Sequence, residues 1–166
     1  MSRSLRTLLL ALAALLAAAA PAGAAGIRSP RLWATINVCD TLRHPDTIGI
    51  RASMPGSSFG ARERMFMRFQ VQYFRGSDQR WHDITKGGDS GYVPVGPATY
   101  DARQAGRLFV FAPPAGGSFQ LRGRVSFQWR RGGVVKRHAS RLTTAGHSST
   151  AGSDPRGFSS DTCVIS

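Results

Sequence analysis

Three sets of residues in this chain have types and spacings that could do chemistry. The first is acid–base: His82-Asp83 is an adjacent histidine–carboxylate pair, and His44 with Asp46 is a close one. A histidine oriented by a carboxylate is the base that activates a hydroxyl or thiol nucleophile. No G-x-S-x-G elbow accompanies either pair, and Glu63 is the sole glutamate, so no second carboxylate cluster completes the constellation. The sequence therefore reads as a protein that is not an enzyme.

The second set is acidic and aromatic. Asp78, Asp83, Asp89 and Asp101 lie in a Gly- and Pro-rich stretch between Gly76 and Gly106. Calcium takes about six to eight oxygens, but no D-x-D-x-D-G spacing is present, and aspartate is a routine turn residue through its side-chain hydrogen bonds. Neither a metal nor a cofactor is expected. The same stretch carries Trp81, Tyr92 and Tyr100. Together with Asp83 and Asp89 these are candidates for recognising a sugar or peptide from loops on a rigid scaffold. The alternative is that the rings cover a sheet.

The third set is basic. The formal net charge is +13, and all of the 22 basic residues except Lys86 and Lys136 are Arg. The densest cluster is Arg122, Arg124, Arg130, Arg131, Lys136 and Arg137, which across paired strands could form one anion-binding stripe. Contacts of that stripe with phosphates would be independent of sequence and sensitive to salt. Its own strand offers no aromatic on the polar side, so stacking of single-stranded bases is not expected. The competing explanation is compositional, because Ala, Gly, Arg and Pro all come from GC-rich codons. The two explanations differ in distribution: drift scatters arginine, whereas a binding site gathers it on one face.

The elements that must position these residues are strands. Phe119, Leu121, Gly123, Val125, Phe127 and Trp129 alternate with Gln120, Arg122, Arg124, Ser126, Gln128 and Arg130, the period of a half-buried strand over Ser118 to Arg131. Gly132-Gly133 then predicts a tight hairpin into Val134 to Thr144. A strict two-residue turn sets Trp129 opposite Lys136 and Arg124 opposite Arg141, and a one-residue slip sets Trp129 opposite Val135. The charged, irregular return strand reads as a sheet edge. Met65 to Arg75 is the next clearest strand, followed by Leu32 to Val38, Asp46 to Met54 and Arg107 to Ala112. Gly76 to Gly106 reads as loops with short strands at Arg80 to Thr85 and Tyr92 to Val95. Residues 145–158 read as a flexible loop, and Thr162 to Ile165 as a terminal strand.

Residues 1–24 have the form of a signal peptide helix: Arg3 and Arg6, an apolar run from Leu8 to Ala20, and cleavage expected after Ala24. No later stretch is apolar for the ~20 residues a spanning helix needs. Residues 25–166 then form a single domain, secreted, with no transmembrane segment. Cys39 and Cys163, an even count near opposite ends of an exported chain, are expected to pair.

About seven or eight short strands with turns between them resemble an immunoglobulin-like or fibronectin-III-like antiparallel β-sandwich. The likeness is to such domains in uncharacterised secreted proteins of high-GC bacteria, and it covers roughly Arg31 to Thr144. The cysteines do not sit on the second and penultimate strands as in antibody-type domains, and Trp129 lies late in the chain. The resemblance implies a fold and carries over no functional residue. The function expected is a non-enzymatic binding or structural module at or outside the cell surface. The alternative is an electrostatic binder of wall polymer, lipid headgroups or nucleic acid. The partner would be an anionic cell-surface polymer or another extracellular protein.

Overall fold

The computed structural model describes residues 27–113, 115–147 and 151–166. The expected signal peptide lies outside them. Nine strands follow one another: β1 (Trp33–Thr41), β2 (His44–Pro55), β3 (Gly60–Arg75), β4 (Arg80–Asp83), β5 (Asp89–Ala98), β6 (Ala102–Val110), β7 (Phe119–Arg131), β8 (Val134–Leu142) and β9 (Thr162–Ile165). Every pairing between them is antiparallel, and no helix occurs among the described residues.

The strands form a smaller sheet, β1-β2-β6, and a larger one built on the β3–β7 pair. In the larger sheet β4 and β5 share the far edge of β3, while β8 and β9 share the far edge of β7. The alternating positions explain the assembly. Met65, Met67, Phe69 and Val71 of β3 and Leu121, Val125, Phe127 and Trp129 of β7 are fully buried. They meet Ala34 and Ile36 of β1 and Ile48, Ile50, Ala52 and Met54 of β2 in one core. Each large apolar side chain removed from water contributes about 1.5–3 kcal/mol, so this core dominates the stability of the fold. The sheets approach closely at Gly123, where a Cβ would lie 2.8 Å from Ile50 Cδ1 and 2.6 Å from Thr143 Cγ2.

Cys39 and Cys163 form the expected disulfide, with Cα atoms 5.5 Å apart. Because Cys39 is on β1 and Cys163 on β9, the bond ties the two sheets together. The free edge of β1 is met by the chain before β9. Ile36 and Ser160 exchange backbone hydrogen bonds of 2.9 and 3.0 Å, and Asp154 N donates to Asn37 O. Trp33 stacks on His147, with ring centroids 4.6 Å apart.

Three sequence-based expectations need correction. The stretch from Gly76 to Gly106 is largely strand: β5 runs ten residues through Pro94 and Pro97, and β6 starts at Ala102. Proline and glycine masked it because they weaken central strands, yet an edge strand tolerates both. The hairpin register also differs from both alternatives. Gly132 and Gly133 take positive φ of 55° and 79°, as a two-residue turn requires. The strict register holds for Arg131↔Val134 and Arg130↔Val135. A β-bulge at Lys136 then shifts it, setting Trp129 opposite Arg137 and Arg124 opposite Leu142. The bulge turns Arg137, Ala139 and Arg141 to the same side as Trp129, Phe127 and Val125. Finally, nine strands are present among the described residues where about seven or eight were expected, and the short candidates at Arg80 to Thr85 and Tyr92 to Val95 both pair with β3, as β4 and within β5.

Candidate binding face

The outer side of the larger sheet gathers two groups of residues that lie far apart in the chain. β3 and β7 pair Arg64 with Arg130, Phe66 with Gln128, Arg68 with Ser126, Gln70 with Arg124 and Gln72 with Arg122. Since the odd-numbered partners fill the core, these even-numbered side chains share the outer face. Beyond β3, β4 brings Trp81 opposite Phe74 and Asp83 opposite Gln72. β5 brings Tyr92 opposite Arg68 and Asp89 opposite Gln70. The aromatic rings that β7 lacks are thus supplied by its neighbours, which corrects the expectation of a polar side without stacking partners.

The rings hold the arginines. The Arg122 guanidinium lies 4.4 Å from the Trp81 ring centroid. The Arg130 guanidinium lies 4.2 Å from Phe66 and 5.2 Å from Tyr92. A guanidinium held over a ring loses conformational freedom before any ligand arrives, which lowers the entropic cost of binding. Polar side chains set the remaining positions. Arg122 Nε donates to Gln72 Oε1 at 2.8 Å, Gln72 Nε2 donates to Asp83 Oδ1 at 2.7 Å, and Arg124 Nη2 donates to Asp83 Oδ2 at 2.7 Å. Arg130 reaches Gln128 Oε1 through Nε at 2.8 Å.

Arg68 clasps Asp89, with Nε 2.9 Å from Oδ1, and Gly91 N also donates to that carboxylate. The Arg68 hydrogen bond holds the Asp89 carboxyl below its ordinary pKa, and the same bond raises Arg68. Arg122 is lowered, first by burial and then by the like charge of Arg124. Of the five arginines on this face, Arg68 and Arg124 end on carboxylates. Arg64, Arg122 and Arg130 make no ion pair among the described residues. Arg122 and Arg130 are eight positions apart on β7, about 27 Å along an extended strand.

The rest of the expected basic stripe lies elsewhere. Arg137 and Arg131 turn to the opposite side, where Arg137 Nη2 is 2.6 Å from Glu63 Oε2 and Arg131 Nε is 3.9 Å from Oε1. Arg137 also covers the Trp129 ring at 4.8 Å. Lys136 is exposed at the bulge. Tyr100 stands apart in the β5–β6 turn, 4.6 Å below the Arg103 guanidinium. Arg64, Phe66, Arg68, Gln72 and Gln128 belong to the face but were not singled out from sequence. Their even positions, on β3 for the first four and on β7 for Gln128, were the available signal.

The histidine–acid pair does not survive folding as a unit. Neighbouring strand residues point to opposite sides, so His82 Nε2 meets Asp78 Oδ2 at 2.9 Å while Asp83 serves Arg124 and Gln72. Arg75, with help from His82, pulls the Asp78 carboxyl down to about 2. Among the described residues no three His, Cys, Asp or Glu side chains are placed to hold a metal ion. No protein-family model matches the chain, and no curated protein matches it in sequence.

Proposed function

We propose that this protein is an exported, non-enzymatic β-sandwich of the immunoglobulin or fibronectin-III type that holds an anionic polymer along the outer face of its larger sheet. The observation that carries this reading is the placement of Arg64, Arg122 and Arg130, none with a carboxylate partner among the described residues, beside Phe66, Trp81 and Tyr92 on one face of the sheet. Drift alone gives no reason for unpaired arginines to be stacked on rings. The leader-like sequence of residues 1–24 supports export, and a disulfide suits an oxidising compartment. No helix of the described residues is long and apolar enough to cross a membrane. Wall polymer, lipid headgroups and nucleic acid share the repeated negative charge that the face would read.

Single-stranded DNA is a convenient polyanion for the test. Three arginines without a carboxylate partner give an expected slope of log K against log salt of about −2.1, from roughly −0.7 per neutralised phosphate. Affinity then falls roughly 20-fold between 50 and 200 mM salt. Arg122→Gln with Arg130→Gln should reduce the slope to about −0.7, with far-UV circular dichroism unchanged. Acidic polysaccharide and anionic vesicles, tested alongside, rank the polymer classes. No binding at 50 mM salt, or the same slope in the folded double variant, would sink the proposal.

A further inference from the structure

A second basic site lies on the smaller sheet, away from the polymer-binding face. Between β1, β2, β6 and the residues that follow β8 is a cleft of about 230 Å³, lined in part by Asn37, His44, Arg51, Arg107, Leu108 and Gly152. Gly106 lines the cleft, and Gly49 lies beside it under Leu108. Leu108 leans over Gly49, where a Cβ would meet Leu108 Cδ2 at 2.8 Å. Arg51 crosses Gly106, with Cδ 3.3 Å from the Cβ position. Asn37 Nδ2 fixes the far lip by donating to the carbonyls of Ala151 and Gly152 at 3.3 and 3.1 Å.

Arg51 is the unusual member. Its Nε donates to the neutral Gln104 Oε1 at 3.3 Å, and its two terminal nitrogens meet no acceptor among the described residues. Arg68, Arg124 and Arg137, also partly covered, each end on a carboxylate, whereas Arg51, like Arg122 and Arg130 on the other sheet, does not among the described residues. No acidic residue lines the cleft. Burial lowers the Arg51 pKa, a cost that no counter-charge offsets. An unpaired guanidinium fork beside an apolar wall fits one planar anionic group carrying a small apolar body. The volume is below the roughly 300 Å³ at which drug-sized pockets begin, so it suits a small molecule or a chain end and not a polymer.

We propose that this cleft binds a small carboxylate, its oxygens taken by the Arg51 fork and its apolar part covered by Leu108. The test is a titration of the full-length, disulfide-bonded protein with isobutyrate, followed by amide NMR. Saturable shifts should centre on Arg51, Gly106 and Leu108. Binding should weaken at least tenfold with the uncharged isobutyramide and at least tenfold in Arg51→Gln, and several-fold in Leu108→Ala. Arg51→Lys, which keeps the charge and loses the fork, should also weaken it several-fold, and serves where the Gln variant does not give a native spectrum. The Arg122→Gln/Arg130→Gln variant should bind as the natural protein does, which separates this site from the polymer face. Shifts that never saturate, equal binding by the Arg51 variants, or inorganic phosphate binding as tightly as isobutyrate would each overturn the proposal.

Discussion

Replacing Arg137 by Met should destabilise the protein far more than replacing its partner Glu63 by Gln. Glu63 is fully buried, with 0% of its side chain exposed, whereas Arg137 and Arg131 retain 36% and 38%. Its Oε2 depends on Arg137 at 2.6 Å, Arg131 stays 3.9 Å from Oε1, and Oε1 accepts no hydrogen bond. Arg137→Met keeps an aliphatic stem on Trp129 but leaves a carboxylate in the core, and breaking a buried pair in that way costs about 3–5 kcal/mol. Glu63→Gln leaves two guanidiniums that still reach water. Its cost is that of one weakened charged hydrogen bond, about 1.5 kcal/mol. Glu63→Met with Arg137→Met removes both charges, and apolar replacement of a buried pair is near neutral, so the double variant should lie within about 1 kcal/mol of the natural protein. Urea titrations followed by tryptophan fluorescence at pH 7 give the three values from midpoints at a common slope. Equal losses in the two single variants, or a double variant as unstable as Arg137→Met, would refute the assignment of the cost to a stranded carboxylate.

Other expectations follow from the fold. Cys39→Ala with Cys163→Ala opens a link between residues 124 positions apart, which lowers stability by up to about 4.9 kcal/mol in the chain-entropy account; a urea midpoint unchanged by the substitution would contradict it. Gly123→Ala places a methyl against Thr143 Cγ2 and Ile50 Cδ1 and should cost about 1–3 kcal/mol. Adding Ile50→Val should return part of that loss in thermal melts, and no return would mean that the crowding lies elsewhere. Acid should also weaken the fold through Asp78, whose pKa of about 2 lies below its unfolded value. The unfolded chain then binds more protons, so this contribution is complete above the unfolded pKa of about 3.9 and fades as pH falls toward 2. Asp78→Asn should flatten the melting temperature against pH between 4 and 2, and an unaltered profile would exclude Asp78 as its source.

Much of the fold was legible because strand alternation is local. β3 and β7 alternate cleanly since one side of each is wholly core, and the glycine pair announced a turn that needs positive φ at both positions. Edge elements were harder. β5 holds Pro94, Pro97, Gly91 and Gly96, and nothing in that composition distinguishes a tolerated edge strand from a loop. The bulge at Lys136 left no sequence mark either, and the partner it brings within reach of Arg137, Glu63, lies 74 residues away.

The candidate face shows the same division. The basic residues of β7 and the Trp81 to Tyr100 aromatics were both visible in sequence as separate candidates. Their convergence was not, because Asp83 and Arg124 are 41 residues apart and meet through β3, which lies between them. The sequence by itself determined the all-β class, the cysteines available to pair, the excess of arginine and which side chains of β3 and β7 enter the core. Those properties depend on composition and on a two-residue period within one segment. Only the tertiary structure decided that Arg122 and Arg130 are held on rings while Arg137 and Arg131 serve a buried carboxylate. Side-chain partnership depends on which strands become neighbours and in what register, and that is settled by burial across the whole chain.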